Sequence, residues 1–292
     1  MKVEGIIPAM ITPFDRHGEI HEQGLRAMVN FLAESGVHGI LVAGTGGQFC
    51  LLLREERKRL FEITVDEVNG KTLVFAGTGS VSTKETILMS REAADVGVDA
   101  VTVITPYFVK LTDEEVFLHY KAIAEAVPLP ITLYNNPPRT GIIISPEVLE
   151  RLTGFDNVAG MKDSSGDLSL SQEYIRRAGD KIPLIMGRDT LIYSALTLGA
   201  QGAVNTVGNV APKLLLELYE AAKGGDHKEA LRLQAKVNLI RQALGLGTFP
   251  AAVNEAVNLI GKPGGHPRKP VIPLNENQRE SLRRALKEAE IL

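Results

Sequence analysis

One lysine stands in the apolar run Val158-Ala159-Gly160-Met161-Lys162, just ahead of Asp163-Ser164-Ser165-Gly166. A buried strand is a costly place for an ammonium group, because desolvation disfavours the charged form. A lysine held partly neutral is a nucleophile able to form a Schiff base with a ketone. A lysine just past the strand end, its head in solvent, would mean nothing of the kind, so its surroundings must decide. Gly44-Thr45-Gly46-Gly47-Gln48-Phe49 places glycines at three of four consecutive positions, so backbone N–H groups can face an anion beside the Thr45 hydroxyl. Leu133-Tyr134-Asn135-Asn136-Pro137-Pro138-Arg139 offers a tyrosine for proton relay and an arginine whose forked donors match a carboxylate. Met186-Gly187-Arg188-Asp189 and Gly202-Ala203-Val204-Asn205-Thr206 add glycines that let a ligand approach the backbone. Asp189 and Asn205 could bind hydroxyls there, with Val204 on the same strand; Asp189 equally suits the cap of a following helix. Taken singly, the glycine loop also fits an empty turn, Tyr134 a packing residue and Arg139 a surface charge.

Together, lysine, tyrosine and an anion-binding loop suit one reaction type. A 2-oxo acid condenses with the lysine while the loop grips its carboxylate. The protonated imine is then an electron sink, so the neighbouring carbon can lose a proton or join an aldehyde. Tyr134 would shuttle protons through a hydroxyl such as that of Thr45. A metal-dependent route needs histidine and carboxylate ligands instead. The histidines, His17, His21, His38, His119, His227 and His266, occupy none of the strand ends assigned below, so no metal site is expected.

These groups need a scaffold that gathers them on one rim. Short β-branched runs at 6–12, 39–44, 73–77, 100–105, 131–135, 158–163, 183–187 and 202–207 alternate with amphipathic stretches near 22–35, 54–69, 83–96, 113–127, 145–153, 168–178, 189–199 and 211–223. Such alternation predicts an α/β fold, a (β/α)8 TIM barrel, whose reactive groups sit at the carboxy ends of its strands. Junctions such as Val96-Gly97-Val98-Asp99-Ala100 end a helix on glycine and enter a strand soon after. Thr112-Asp113-Glu114-Glu115 and Ser145-Pro146-Glu147 read as helix starts. A doubly wound open sheet would need a Gly-rich phosphate loop after its first strand, and Pro13-Phe14-Asp15-Arg16 is not one. The barrel is assigned to residues 1–224. Residues 225–292, with helices expected at 226–244, 250–260 and 275–292, are read as a C-terminal helical extension packed on it.

A net charge of −3 argues against nucleic acid as a partner. Arg54, Arg57, Lys58 and Arg59 alternate with Glu55 and Glu56 and read as a solvated helix face. The single cysteine, Cys50, lies between Phe49 and Leu51, which suggests packing, and it fits a reducing compartment. No apolar stretch is long enough to cross a membrane, and the amino end does not read as a signal peptide, so a cytoplasmic protein without membrane partners is expected.

Gly44-Thr45-Gly46-Gly47, Tyr134 and Gly160-Met161-Lys162-Asp163-Ser164, in that order and spacing, resemble the dihydrodipicolinate synthase/N-acetylneuraminate lyase family of class I pyruvate-dependent aldolases. The likeness runs from Ile11-Thr12-Pro13-Phe14 to the last helix. It implies a pyruvate-carboxylate loop with Gly46 and Gly47, a relay tyrosine at Tyr134 and an imine on Lys162. It further implies no metal or organic cofactor beyond that lysine, pyruvate or another 2-oxo acid plus an aldehyde as partners, and a homotetramer built as a dimer of dimers. Arg139 looks like the arginine with which dihydrodipicolinate synthases hold the carboxylate of aspartate semialdehyde. Gly46 departs from that enzyme, which usually has a second threonine there. Phe108 stands where it has the tyrosine that enters a neighbouring subunit, so Tyr107 must substitute or the relay is broken. Val81 replaces the polar residue typical of lysine-inhibited synthases. The loop variant, and Asp189 where sialic acid lyase binds hydroxyls, favour enzymes that make or cleave 2-keto-3-deoxy sugar acids. That is the leading expectation, with dihydrodipicolinate synthesis as the alternative. Other keto-acid aldolases or dehydratases, a barrel that binds oxo acids without catalysis, and a phosphate-sugar isomerase, for which the loops after strands seven and eight lack an obvious phosphate-binding run, complete the set.

Overall fold

The computed structural model describes Met1 and residues 3–292. Eight strands, β1 (Gly5–Pro8), β2 (Gly39–Val42), β3 (Leu73–Gly77), β4 (Ala100–Ile104), β5 (Ile131–Asn135), β6 (Val158–Asp163), β7 (Leu184–Met186) and β8 (Gly202–Asn205), form one parallel sheet in the order β1-β8-β7-β6-β5-β4-β3-β2. The last join, between β1 and β2, is a single parallel bridge from Ala9 to Leu41, with Met10 N–H donating to Leu41 O at 2.9 Å. The sheet thus curls into the expected (β/α)8 barrel. Its lumen is filled by Ile7, Leu41, Phe75, Ala100, Ile185 and Val204, a cluster separate from the larger one between sheet and helices. A filled lumen confines any ligand to the rims.

Helices α1 (Glu22–Glu34), α2 (Arg54–Val68), α3 (Thr83–Val96), α4 (Asp113–Ala126), α5 (Pro137–Thr140), α6 (Pro146–Leu152), α7 (Leu168–Ala178), α8 (Ile192–Thr197) and α9 (Pro212–Lys223) alternate with the strands. The local chemistry is as the residue types dictate. Thr112 and Glu115 close a reciprocal capping box at α4. The Ser145 hydroxyl accepts from Val148 N–H at α6, and Gly97 takes φ 92° after α3.

Some boundaries differ from the sequence expectations. β1 ends at Pro8, although Ala9 and Met10 still donate to Asn205 O and Leu41 O; beyond them the chain turns to the rim, where Ile11 N–H donates to Asn209 Oδ1 (2.9 Å) and Thr12 Oγ1 to Gly47 O (2.8 Å). The Pro-Pro-Arg-Thr segment coils into α5, which the pattern did not suggest, and Asp189–Leu191 form a 3₁₀ turn ahead of α8. Cys50 is exposed rather than packed. Arg57 does not belong to a solvated face; it is 5% exposed, with Nε and Nη2 donating to Phe49 O and Nη1 to Gly79 O.

Beyond the barrel helices come α10 (His227–Ala243), α11 (Ala251–Leu259) and α12 (Glu276–Glu288). α10 lies along α9 and reaches the turn after β7, where Gln234 receives Tyr193 N–H and donates to Asp189 O, each at 2.9 Å. α12 covers α10 and α11 with Leu282 and Leu286 fully buried. α10 is the part of this layer that reaches the site.

Candidate active site

The carboxy ends of the strands surround a cavity of about 550 Å³. Lys162 lies in β6, in register with Tyr134 on β5 and Ile185 on β7. It is 3% exposed, and its Nζ sits 3.8 Å from the centre of the Tyr134 ring. The next residue, Asp163, is fully buried without a cationic partner nearby in its hydrogen-bond set. Its carboxylate accepts from Asn135 Nδ2, Ser165 N–H and Oγ, and Ser171 Oγ at 2.7–2.9 Å. These bonds tie the end of β6 to β5 and α7, and so fix where the lysine leaves the strand. The sequence reading did not single out Asp163; an aspartate ending an apolar run, with serines at +2 and +8, was the available signal.

The Tyr134 hydroxyl receives Asn136 Nδ2 at 2.8 Å and lies 3.3 Å from Thr45 Oγ1. Burial would push this phenol up, but the Lys162 charge and the bonds from Thr45, Ser164 and Lys162 outweigh it. The net result is a phenol below the ordinary tyrosine range. The Thr45 loop is bracketed by two non-glycine residues in the left-handed region, Ala43 (φ 52°) and Gln48 (φ 56°). Such backbone is costly and persists where the surroundings impose it. Among the described residues, the amides of Thr45 and Gly46 donate to no protein acceptor. Those amides and the Thr45 hydroxyl can together receive a carboxylate.

Thr45, Gly46, Tyr134, Arg139, Lys162, Gly187, Asp189 and Val204 all line this cavity. A side chain at Gly187 would overlap Ser164 Oγ, so the wall there must be backbone. Other expected residues lie elsewhere. Gly47 is off the wall, its carbonyl held by Thr12. Asn205 is buried behind the wall, Oδ1 receiving Gly208 N–H at 3.0 Å, so it cannot serve substrate hydroxyls. Asp189 does not cap its own turn. Its Oδ1 receives Thr206 and Val207 N–H (2.9 and 2.7 Å), and Oδ2 lies 3.5 Å from Arg241 Nε. Burial still pushes its carboxyl up, against the pull of Val207, Arg241 and Thr206. Tyr107 is packed edge-on against Phe49, ring centres 6.0 Å apart, and does not reach the cavity of its own chain. Phe108 points away, 96% exposed. Within one chain, therefore, neither residue completes a relay with Tyr134. Among the described residues no group of three histidine, cysteine or acidic side chains is arranged to hold a metal ion. No helix there is long and apolar enough to cross a membrane.

A cavity with a buried lysine, a phenol and an anion loop can form an imine with an oxo acid and move the protons involved. The chain as a whole is similar to known proteins. Residues 2–289 match the model of the dihydrodipicolinate synthetase family. A 4-hydroxy-tetrahydrodipicolinate synthase of Methanopyrus kandleri is 43% identical over 100% of this chain and 98% of its own. The structure of a chloride-inhibited dihydrodipicolinate synthase from Acinetobacter baumannii complexed with pyruvate superposes with a TM-score of 0.96 at 35% identity, covering 100% of both chains. A prophage protein of the same family from E. coli K12, also in complex with pyruvate, gives 0.96 at 31% identity, with 99% of each chain covered. A barrel that merely binds oxo acids does not fit this company, and the chain belongs to the dihydrodipicolinate synthetase family, whose members are lyases of the class I aldolase type.

Proposed function

We propose that the protein condenses pyruvate with aspartate semialdehyde through an imine on Lys162, as a 4-hydroxy-tetrahydrodipicolinate synthase. The observation that carries this is the buried Lys162 amine over the Tyr134 ring, with Thr45 Oγ1 at 3.3 Å from the phenol. The relatives' names supply the acceptor. The amine attacks the ketone of pyruvate, whose carboxylate rests on the Thr45–Gly46 amides. Tyr134 protonates the departing water, its phenolate then takes a methyl proton from the protonated imine to give the enamine, and the enamine carbon attacks the aldehyde carbon as its oxygen receives that proton. The acceptor's own amine then displaces Lys162 from the imine carbon, which closes the ring and frees the lysine. Arg139, exposed at the mouth beside Phe249, would hold the acceptor's carboxylate. No metal or organic cofactor enters this route. We further place the enzyme in the cytoplasm as a dimer of dimers.

Cleavage of 2-keto-3-deoxy sugar acids, the leading expectation from the sequence, gains no support from the relatives over this condensation. The lesser of its sequence arguments, Asp189, is weakened as well, since that carboxylate is already taken by two amides and Arg241.

Borohydride reduction in the presence of pyruvate should add one pyruvyl group to the peptide containing Lys162. An active enzyme with Lys162 unmodified would defeat the mechanism. Pyruvate consumption with aspartate semialdehyde, set against pyruvate release from 2-keto-3-deoxygluconate, tests the acceptor. Release without condensation would overturn the assignment.

A further inference from the structure

Two guanidinium groups on the cavity wall have no part in the reaction above. Arg188 follows β7 and Arg241 lies on α10, and both line the cavity with Arg139 and Lys162. Arg188 lies over Gly166, where φ is +85° and a Cβ would stand 3.2 Å from its Nε and Nη2. A glycine at that position thus makes room for the guanidinium at the mouth. Among the described residues, Asp189 is the one carboxylate on this wall, and its oxygens already hold two amides and Arg241. Three arginines and a lysine therefore face one committed carboxylate, in a chain whose net charge is −3. The imbalance is local, and it favours anions. A guanidinium fork matches a carboxylate or phosphate with two parallel hydrogen bonds, and the exposed Arg188 presents its fork at the mouth. The volume of about 550 Å³ lies in the range that holds ligands much larger than a three-carbon acid.

We propose that Arg188 and Arg241 form a second oxyanion subsite, separate from the Thr45 loop and from Arg139, which takes a distal carboxylate or phosphate on the molecule that meets the Lys162 imine. This rests on the reading of the cavity as the acceptor's space. The site then admits acceptors or inhibitors with an acidic group beyond the one that Arg139 holds.

Calorimetry with inorganic phosphate and with glutarate, before and after borohydride trapping of pyruvate on Lys162, tests this. Binding should survive trapping, and weaken at least ~10-fold in Arg188→Gln and in Arg241→Gln. Arg188→Lys and Arg241→Lys should recover most of it, which an unfolded variant could not do. Tighter binding of glutarate assigns the subsite to carboxylates; tighter binding of phosphate assigns it to phosphates. Loss of binding on trapping would put the anion on the Thr45 loop and overturn the proposal, as would an unchanged Kd in both glutamine variants. The measurement needs no turnover, so failure to condense aspartate semialdehyde would leave this result standing, and the reverse also holds.

Discussion

Tyr134 is held at its hydroxyl by Asn136 and Thr45 and at its ring face by Lys162, so it cannot turn away from the lysine without losing all three. Tyr134→Phe keeps the ring and removes the proton path. Turnover should fall by roughly 10²–10⁴-fold in a protein that still folds. The phenol must be neutral to donate, and its lowered pKa brings ionisation closer to neutral pH. Activity of the native enzyme should therefore decline as pH rises through that pKa, below the ordinary tyrosine value of about 10. A pH–rate profile in which Tyr134→Phe retains the same alkaline limb would assign the limb to another group. Lys162, Tyr134 and Thr45 were legible in sequence because each stands where a β-branched run ends, and barrel geometry brings such ends together. Gly47 and Asn205 stand at equivalent places yet turn into the protein, to Thr12 and Gly208. Position on a strand does not say which neighbour takes a polar group.

At the scale of elements, α2 shows why a charge run misleads. Arg57 falls with Leu60, Phe61, Thr64 and Val68 on the buried face, at helical spacing, while its charged neighbours turn outward. Its carbonyl partners, Phe49 and Gly79, belong to the loops after β2 and β3, so a single side chain ties two rim loops to a helix. That role depends on contacts remote in sequence, as does the reach of Arg241 to Asp189. Between α3 and α4, His119 is buried with Nδ1 at 2.8 Å from Thr83 Oγ1, and its Nε2 finds no partner among the described residues. Burial pushes this imidazole down to about 4. As pH falls, the unfolded chain takes up a proton on His119 near its usual value of about 6.5, before the folded protein does. Folding stability is thus full above about pH 6.5 and is lost towards pH 4, by about 3 kcal/mol from this group. Urea unfolding at a series of pH values should show a smaller loss across that window in His119→Gln. Equal losses in the two proteins would assign the acid sensitivity elsewhere.

For the whole molecule, Phe108 combines 96% exposure with a φ of 77°. A bulky residue in that conformation is strained, and its apolar surface gains nothing from water. Both costs are offset if a second copy covers the ring, as the proposed dimer of dimers would. Sedimentation velocity on dilution should then show smaller species for Phe108→Ala than for the native chain, and an unchanged profile would remove Phe108 from the contact. The barrel itself carries an asymmetry of another kind. Seven of its joins are ladders, while β1 and β2 share one bridge at Ala9 and Leu41, with Met10 N–H donating to Leu41 O at one end and His38 exchanging bonds with Ile6 at the other. Local opening should start where the fewest bonds must break, so the Met10 amide should exchange its hydrogen with solvent sooner than those in β5 and β6. Ala9 lines the cavity, and β2 runs directly on to Thr45. Breathing of the barrel at this seam would thus loosen the pyruvate end of the site before the lysine end, leaving Lys162 on the stiffer half of the ring.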